Sequence, residues 1–340
     1  MRPVLAPAAR HLWRDPSTLQ LGLAASRTVV VEGLDEGRRA LLPLLDGSRT
    51  REQVLLDART AGCADADEAL ALLEEAGLLL DADALLVPAL GRTDRDRLGP
   101  DLAALTLVRG AAAPDALLAR RSARVVVHGA GRVGGPLATL LAEAGVGTVD
   151  VRDDELARPA DTAVGGVRPD DLGVRRAEAV GRRLRSVGSL RRPDLVVLAE
   201  DRVDLGAGVA PVLQRDGVPH LVARVDGTVG VVGPLVLPGR TGCLRCLDLV
   251  RTAIDPAWPA LAAQRATTRG PEACDGVLGV AVAAQAALQV LELLAGDVPA
   301  SAGGTLELEL PGWRWRRRTW PPHPACGCAA AAPDAWSATG

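Results

Sequence analysis

The run Arg124-Val-Val-Val-His128-Gly129-Ala-Gly131-Arg-Val-Gly134-Gly135, with Thr148-Val-Asp-Val151-Arg-Asp153-Asp154 downstream, sets the architecture of this chain. Val125 to Val127 read as a short apolar strand and the glycines follow at once. Pro136 to Ala144 then reads as a helix, and the second strand ends in acids. In such a βαβ unit, glycines let the backbone approach a phosphate at a helix N-terminus, and an acid after the second strand takes a ribose hydroxyl. The pattern points to a nucleotide site without choosing the nucleotide. The α/β alternation continues outward. Leu172 to Arg185 reads as a helix, Leu195 to Leu198 as a strand ending at Glu200-Asp201, Val209 to Arg215 as a helix and His220 to Ala223 as a strand. Gly279 to Leu294 is apolar on nearly all faces and so reads as a buried helix, while Thr305 to Leu310 alternates as a half-exposed strand does.

Two cysteine pairs, Cys243-Leu-Arg-Cys246 and Cys326-Gly-Cys328, supply four of the six cysteines. Four thiolates can close a tetrahedral shell around Zn²⁺ and staple distant segments together, which makes a structural zinc site the leading reading. A disulfide or unpaired thiols remain as alternatives. His323 is a possible further ligand that four sulfurs make unnecessary. Cys274, in Pro271-Glu-Ala-Cys274-Asp, precedes the long apolar helix, where a thiol of lowered pKa is a candidate acyl acceptor. His128 and His220 read as packing or hydrogen-bonding residues. Trp313 and Trp315 alternate along a strand and are expected to cover apolar surface.

Composition bounds the function classes. The chain has 340 residues, 48% of them hydrophobic, and contains no Lys, Asn, Phe or Tyr, so every basic charge other than histidine is Arg. A net charge of −3 and a pI near 5.9 argue against a nucleic-acid partner. No apolar stretch of bilayer length is free of charge, so no membrane partner is expected, and cytoplasmic residence is.

The N-terminal part, residues 1–90, reads as a small module: an extended Thr28 to Glu32, a helix from Gly37 to Leu45, and a second helix opened by Thr50 with Gln53 three residues on, a capping-box pattern. A third helix runs from about Asp67 to Glu75. Leu78 to Leu80 and Leu85 to Val87 then suggest a terminal hairpin, and the ensemble a winged-helix-like α+β domain. With Gly22-Leu23, Leu45-Asp46-Gly47 and Gly77-Leu78-Leu79 as landmarks, this stretch resembles the PqqD-like domains that bind leader peptides of ribosomally made precursors. Residues 91–123 read as a connector with one helix, and 331–340 as a disordered tail.

From about Arg92 to Ala329, with the nucleotide-binding domain at 124–330, the order of glycine loop, acidic strand end, second acidic strand end, Cys-x-x-Cys, long apolar helix and final cysteine pair resembles the ThiF/MoeB family of adenylating enzymes, relatives of ubiquitin activators. The resemblance implies a Rossmann-like domain with structural zinc, ATP on Gly129, Gly131 and Gly134, the ribose on Asp153, Mg²⁺ at Asp201, and zinc on Cys243, Cys246, Cys326 and Cys328. It also implies a homodimer. The family's Asn-Leu-x-Arg-Gln element is absent near Asp161 to Gly166, and Arg202 stands where the family prefers Asn. The family's catalytic Lys is necessarily missing, with Arg175 or Arg176 nearest its place.

Three functions follow. The first is an ATP-dependent adenylyltransferase activating the carboxylate of a peptide or small carrier protein, in modified-peptide or sulfur-transfer biosynthesis. The second is a degenerate scaffold presenting a precursor peptide to a YcaO-type cyclodehydratase. The third is a nicotinamide or flavin oxidoreductase, against which the zinc thiolates argue.

Overall fold

The computed structural model describes residues 1–23, 28–184, 191–200, 208–267 and 273–328, and divides into two compact units, residues 1–119 and 120–340. Asp201, Arg202, Arg185 and the expected tail 331–340 lie outside the described residues.

The first unit opens with β1 (Pro3–Leu5), β2 (His11–Asp15), β3 (Thr18–Leu21) and β4 (Val29–Val31). The last three form an antiparallel sheet in the order β2-β3-β4. Three helices follow, α1 (Glu36–Leu41), α2 (Arg51–Thr60) and α3 (Ala66–Glu75). The capping box at Thr50 is present: its hydroxyl accepts from the Gln53 N–H while the Gln53 side chain accepts from the Thr50 N–H. Leu19, Leu21, Leu41, Val54 and Leu70 meet in a shared core.

The expected terminal hairpin does not form. Instead β5 (Leu79–Asp81) pairs antiparallel with β1, Leu5 opposite Leu79, and the chain turns at once into α4 (Ala82–Leu85). Asp81 explains the turn, because its carboxylate accepts from the backbone N–H of both Arg2 and Asp83 and so joins the strand pair to the helix start. Residues 91–123, read as a connector with one helix, carry two: α5 (Arg92–Arg109) and α6 (Ala113–Ser122). Leu98 and Leu117 are buried beside Val87 and Leu90. The dense Arg and Asp of the first turns of α5, together with Pro100, hid that apolar face.

The second unit is a seven-stranded sheet in the order β12-β11-β10-β9-β8-β6-β7. Along the chain it runs β6 (Arg124–His128), α7 (Gly134–Glu143), β7 (Thr148–Arg152), α8 (Arg176–Gly181), β8 (Leu195–Leu198), α9 (Ala210–Arg215), β9 (His220–Asp226) and β10 (Val229–Val236). It continues with α10 (Leu244–Ile254), α11 (Trp258–Thr267), α12 (Gly276–Leu294), β11 (Gly304–Glu309) and β12 (Arg314–Thr319). The strands from β7 to β9 are parallel, and those from β9 to β12 antiparallel. Period-two alternation sorts the side chains. Val125 and Val127 face the core with Leu137, Leu141, Val282 and Val290, while Val126 packs with Val196, Val222 and Leu213. Each side chain fully buried in this way stabilises the fold by about 1.5–3 kcal/mol.

Two stretches, Arg92–Ser122 and Gly276–Leu294, are long and apolar enough to cross a bilayer. In α12 that apolarity faces the sheet, where Val282, Ala286 and Val290 are fully buried. The expected helix 172–185 shrinks to α8, after a turn through Gly173 at φ +83° that only glycine adopts easily. Trp313 and Trp315 do not alternate along one strand: Trp313 lies in the turn before β12 at φ +47° and is 50% exposed, and Trp315 lies on the edge strand β12 and is 38% exposed.

Candidate nucleotide-binding and metal sites

The glycine loop sits where three strand ends converge. Gly129 donates its N–H to the carbonyl of Arg152 at 2.8 Å, and Ala199 donates to the carbonyl of His128 at 2.7 Å. The loop has no space for side chains. A Cβ on Gly129 would lie 2.3 Å from the Ala199 carbonyl oxygen, and one on Gly134 would lie 2.0 Å from the Gly129 carbonyl oxygen. Gly134 opens α7, and Gly131 is buried beside it. Only glycine fits at these two positions, so the loop backbone packs directly against the end of β8 and the start of α7.

Asp153, just past β7, does more than wait for a ligand. Its side chain is 4% exposed. One carboxylate oxygen accepts from the Ala130 N–H at 2.7 Å, holding the glycine loop, and the other accepts from the Glu155 N–H at 2.9 Å. Arg176 closes the group, with its guanidinium 2.8 Å from Asp153 and 3.2 Å from Asp161. A carboxylate has about four acceptor positions, so three such contacts leave room for one further donor.

The two arginine candidates therefore separate. Arg176 is turned inward to this carboxylate cluster, whereas Arg175 is 60% exposed and lies beside Asp154 at the surface. The sequence reading missed Arg132 and Asp161. Arg132 donates to the carbonyls of Ala160 at 2.6 Å and Cys274 at 2.7 Å, tying the glycine loop to two distant segments. Its only signal was a cation inside a glycine run.

Cys274 is partly buried and its backbone bridges to Gly227. The next residue, Asp275, caps α12 by accepting from the N–H groups of Val277 and Leu278. A carboxylate thus takes the helix-start donors next to Cys274. His128 is held neutral by burial and by the Arg152 charge, both of which lower its pKa. His220 is 1% exposed and its pKa is likewise lowered by burial; its Nδ1 lies 3.0 Å from the Val218 carbonyl.

The four expected cysteines come together. Cys243 precedes α10 and Cys246 lies in its first turn, while Cys326 and Cys328 arrive from beyond β12. The Sγ–Sγ distances are 3.8 Å for Cys243–Cys246, 3.4 Å for Cys243–Cys326 and 3.4 Å for Cys246–Cys328. All four sulfurs lie within 4.8 Å of one another. Tetrahedral Zn–S bonds of about 2.3 Å place sulfurs about 3.8 Å apart, whereas a disulfide needs about 2.05 Å. The cluster fits a metal ion and not a pair of disulfides. Burial pushes the Cys243 and Cys328 thiols up. Cys246 goes down despite its burial, because the His323 N–H donates to its sulfur. His323 stays out of the cluster, its Nδ1 accepting from the Ala325 N–H at 3.2 Å.

Glycine loop, buried acid and four-sulfur cluster on one mixed sheet agree with a family match at residues 106–190, described as the ThiF family. The match covers a part of the chain that ends before the cysteine cluster. A curated relative, the sulfur carrier protein ThiS adenylyltransferase of Bacillus subtilis (strain 168), is 28% identical over 149 residues. That alignment covers 37% of this chain and 44% of the relative, so the chain spans less than half the length of the curated protein it matches. Solved structures share the fold at greater length. E. coli MccB with succinimide superposes with a TM-score of 0.74 at 18% identity, covering 97% of this chain and 99% of that one. E. coli MccB with ATP gives 0.73 at 18% identity, covering 96% and 99%. PaaA gives 0.63 at 15% identity, covering 80% and 97%. The ThiF-family segment contains β6, α7, β7 and α8, the elements that carry the glycine loop, Asp153 and Arg176.

Proposed function

We propose that this chain is an ATP-dependent adenylyltransferase that activates the carboxylate of a peptide or small carrier protein, in modified-peptide or sulfur-transfer biosynthesis. The observation that carries the reading is the close-packed glycine loop at Gly129–Gly134, braced by Asp153, within the segment that matches the ThiF family. Supporting it, the B. subtilis relative adenylates the sulfur carrier ThiS. MccB, described as a microcin C7 biosynthetic enzyme, has been solved with ATP and with N-formylated MccA.

In this reading a substrate carboxylate oxygen attacks the α-phosphorus of ATP. The bond from that phosphorus to the oxygen bridging to the β-phosphate breaks, and pyrophosphate leaves with the electron pair. The chain's part is to present backbone N–H groups and cationic side chains where charge develops on the phosphoryl oxygens. Gly129, Gly131 and Gly134 form the cradle and Asp153 orients the ribose. Arg176 stands nearest the place of the missing Lys, with Arg175 peripheral. Asp201 is assigned to Mg²⁺, Cys274 to acyl acceptance, and Cys243, Cys246, Cys326 and Cys328 to a structural Zn²⁺. We further assign residues 1–90 to leader-peptide recognition of the PqqD-like kind, and the assembly to a cytoplasmic homodimer.

Pyrophosphate exchange with a candidate precursor peptide tests the reading. ATP labelling that depends on both peptide and chain is expected; nucleotide binding without exchange would turn the assignment to the second reading. That second reading, a scaffold serving a YcaO-type enzyme, draws on one specific observation. Arg176 is engaged by two carboxylates where a free cation would serve the phosphates better.

A further inference from the structure

A cavity of about 800 Å³ lies against the sheet beside the cysteine cluster, between α9, β9, β10, α10 and α11, and none of the glycine-loop residues or Asp153 lines it. It occupies the face to which His220, Val222 and Arg224 point. Leu221 and Ala223 point the other way, into the main core. Its size is that of a small-ligand site.

Its polar groups are unbalanced. Five arginines line it and only one acid, Asp248. Asp226 compensates Arg224 and Arg265, and Asp216 compensates Arg215. Asp248 accepts from the Trp258 indole N–H at 3.1 Å.

Arg245 is exposed, and Arg251 forms no ion pair or hydrogen bond among the described residues, Asp248 and Glu307 attracting it only at longer range. Its guanidinium stands 4.6 Å from the Trp258 ring centre and 5.7 Å from that of Trp320. Indole faces fix a guanidinium and strip water from it, but supply no anion. Burial accordingly holds Arg251 below the usual guanidinium range. On the same wall the polar atoms of the Gln214 amide are shut from water, so a ligand in the cavity does not reach them. His220 binds Val218 through Nδ1, which leaves Nε2 an acceptor. The rest is aliphatic, with Val222, Val231 and Leu247 among the lining.

We propose that this cavity is a second binding site, distinct from the glycine loop, for a short peptide end whose free carboxylate pairs with Arg251 and whose apolar side chain lies on the aliphatic wall. A carboxylate fits the planar donor edge of a guanidinium. The aliphatic walls suit an apolar side chain. The inference does not depend on adenylation.

Isothermal titration of the full zinc-loaded chain with N-acetyl-Ala-Leu, set against its uncharged C-terminal amide, tests it. Saturable binding of the acid is expected, with Kd on the order of 1 mM or tighter, and binding at least about tenfold weaker for the amide form. In Arg251→Gln the acid should bind no better than the amide form. In Arg245→Gln, a second cation of the same lining, the preference for the acid should persist, and circular-dichroism melting identifies any variant that has not folded. Three results would overturn the proposal: no saturable binding of the acid, equal binding of acid and amide, or a preference for the acid that survives in Arg251→Gln. A wild-type chain whose sedimentation shows a dimer that must dissociate before the peptide binds would assign the face to a second copy, and would overturn it too.

Discussion

Gly134 shows how little room there is around the glycine loop. With a methyl group 2.0 Å from the Gly129 carbonyl oxygen, the start of α7 must shift. Gly134→Ala is expected to cost about 2–4 kcal/mol of stability, read from urea unfolding; a change under about 0.5 kcal/mol would mean that the backbone yields easily. The adjacent arginines make a paired test. Arg176→Gln leaves the nearly buried Asp153 and Asp161 uncompensated and should cost about 3 kcal/mol. The same change at the exposed Arg175 should stay within about 0.5 kcal/mol. His220 gives a pH signature. Its folded pKa lies below the ordinary 6.5 because burial disfavours the charged ring. Its contribution is therefore complete above about pH 6.5 and is lost as pH falls through the folded value. His128 adds the same sign. The urea midpoint should be lower at about pH 5.5 than at about pH 7.5, and the gap should narrow in His220→Gln.

Among the elements, the segment after β12 depends most on a single cluster. Trp320 is buried and its indole donates to the Thr305 hydroxyl at 3.0 Å. Beyond it the attachment is largely the sulfurs, with the His323 N–H on Cys246. A structural zinc in such a shell stabilises by about 10 kcal/mol or more. One zinc per chain is expected by elemental analysis. Cys246→Ser or chelation should release it, lower the melting temperature and open the chain near 321–328 to protease. Metal-free protein with an unchanged melting curve would remove zinc from the fold's support. Both cysteine pairs were plain in the sequence, because sulfur spacing is local. Their convergence was not, since it depends on β11 and β12 returning the chain to α10. The N-terminal hairpin failed for a related reason: Leu78 to Leu80 have strand character, but their partner is β1, at the far end of the unit.

For the whole molecule, the unit boundary carries a prediction. Residues 1–119 cluster as one unit, and Val87 and Leu90 are buried with Leu98 and Leu117 of α5 and α6. A fragment ending at residue 90 exposes that cluster. It should be less stable than one ending at 119 by about 2 kcal/mol or more, compared by thermal melting; equal melting would restore 90 as the boundary. The βαβ order, the glycine loop, the acid after β7 and the sulfur spacing were determined by the sequence itself. Each is a pattern over a few residues whose physics is short-range: backbone space, helix-start donors, alternation. Tertiary structure alone decided which of two neighbouring arginines turns inward, that Asp153 braces the loop through Ala130, and that Arg132 spans to Ala160 and Cys274. It also decided that Arg251 stands beside two indoles without an ion pair among the described residues. Those outcomes depend on which distant groups share a buried volume, and charge compensation there is settled by packing across many residues of separation, which no local pattern encodes.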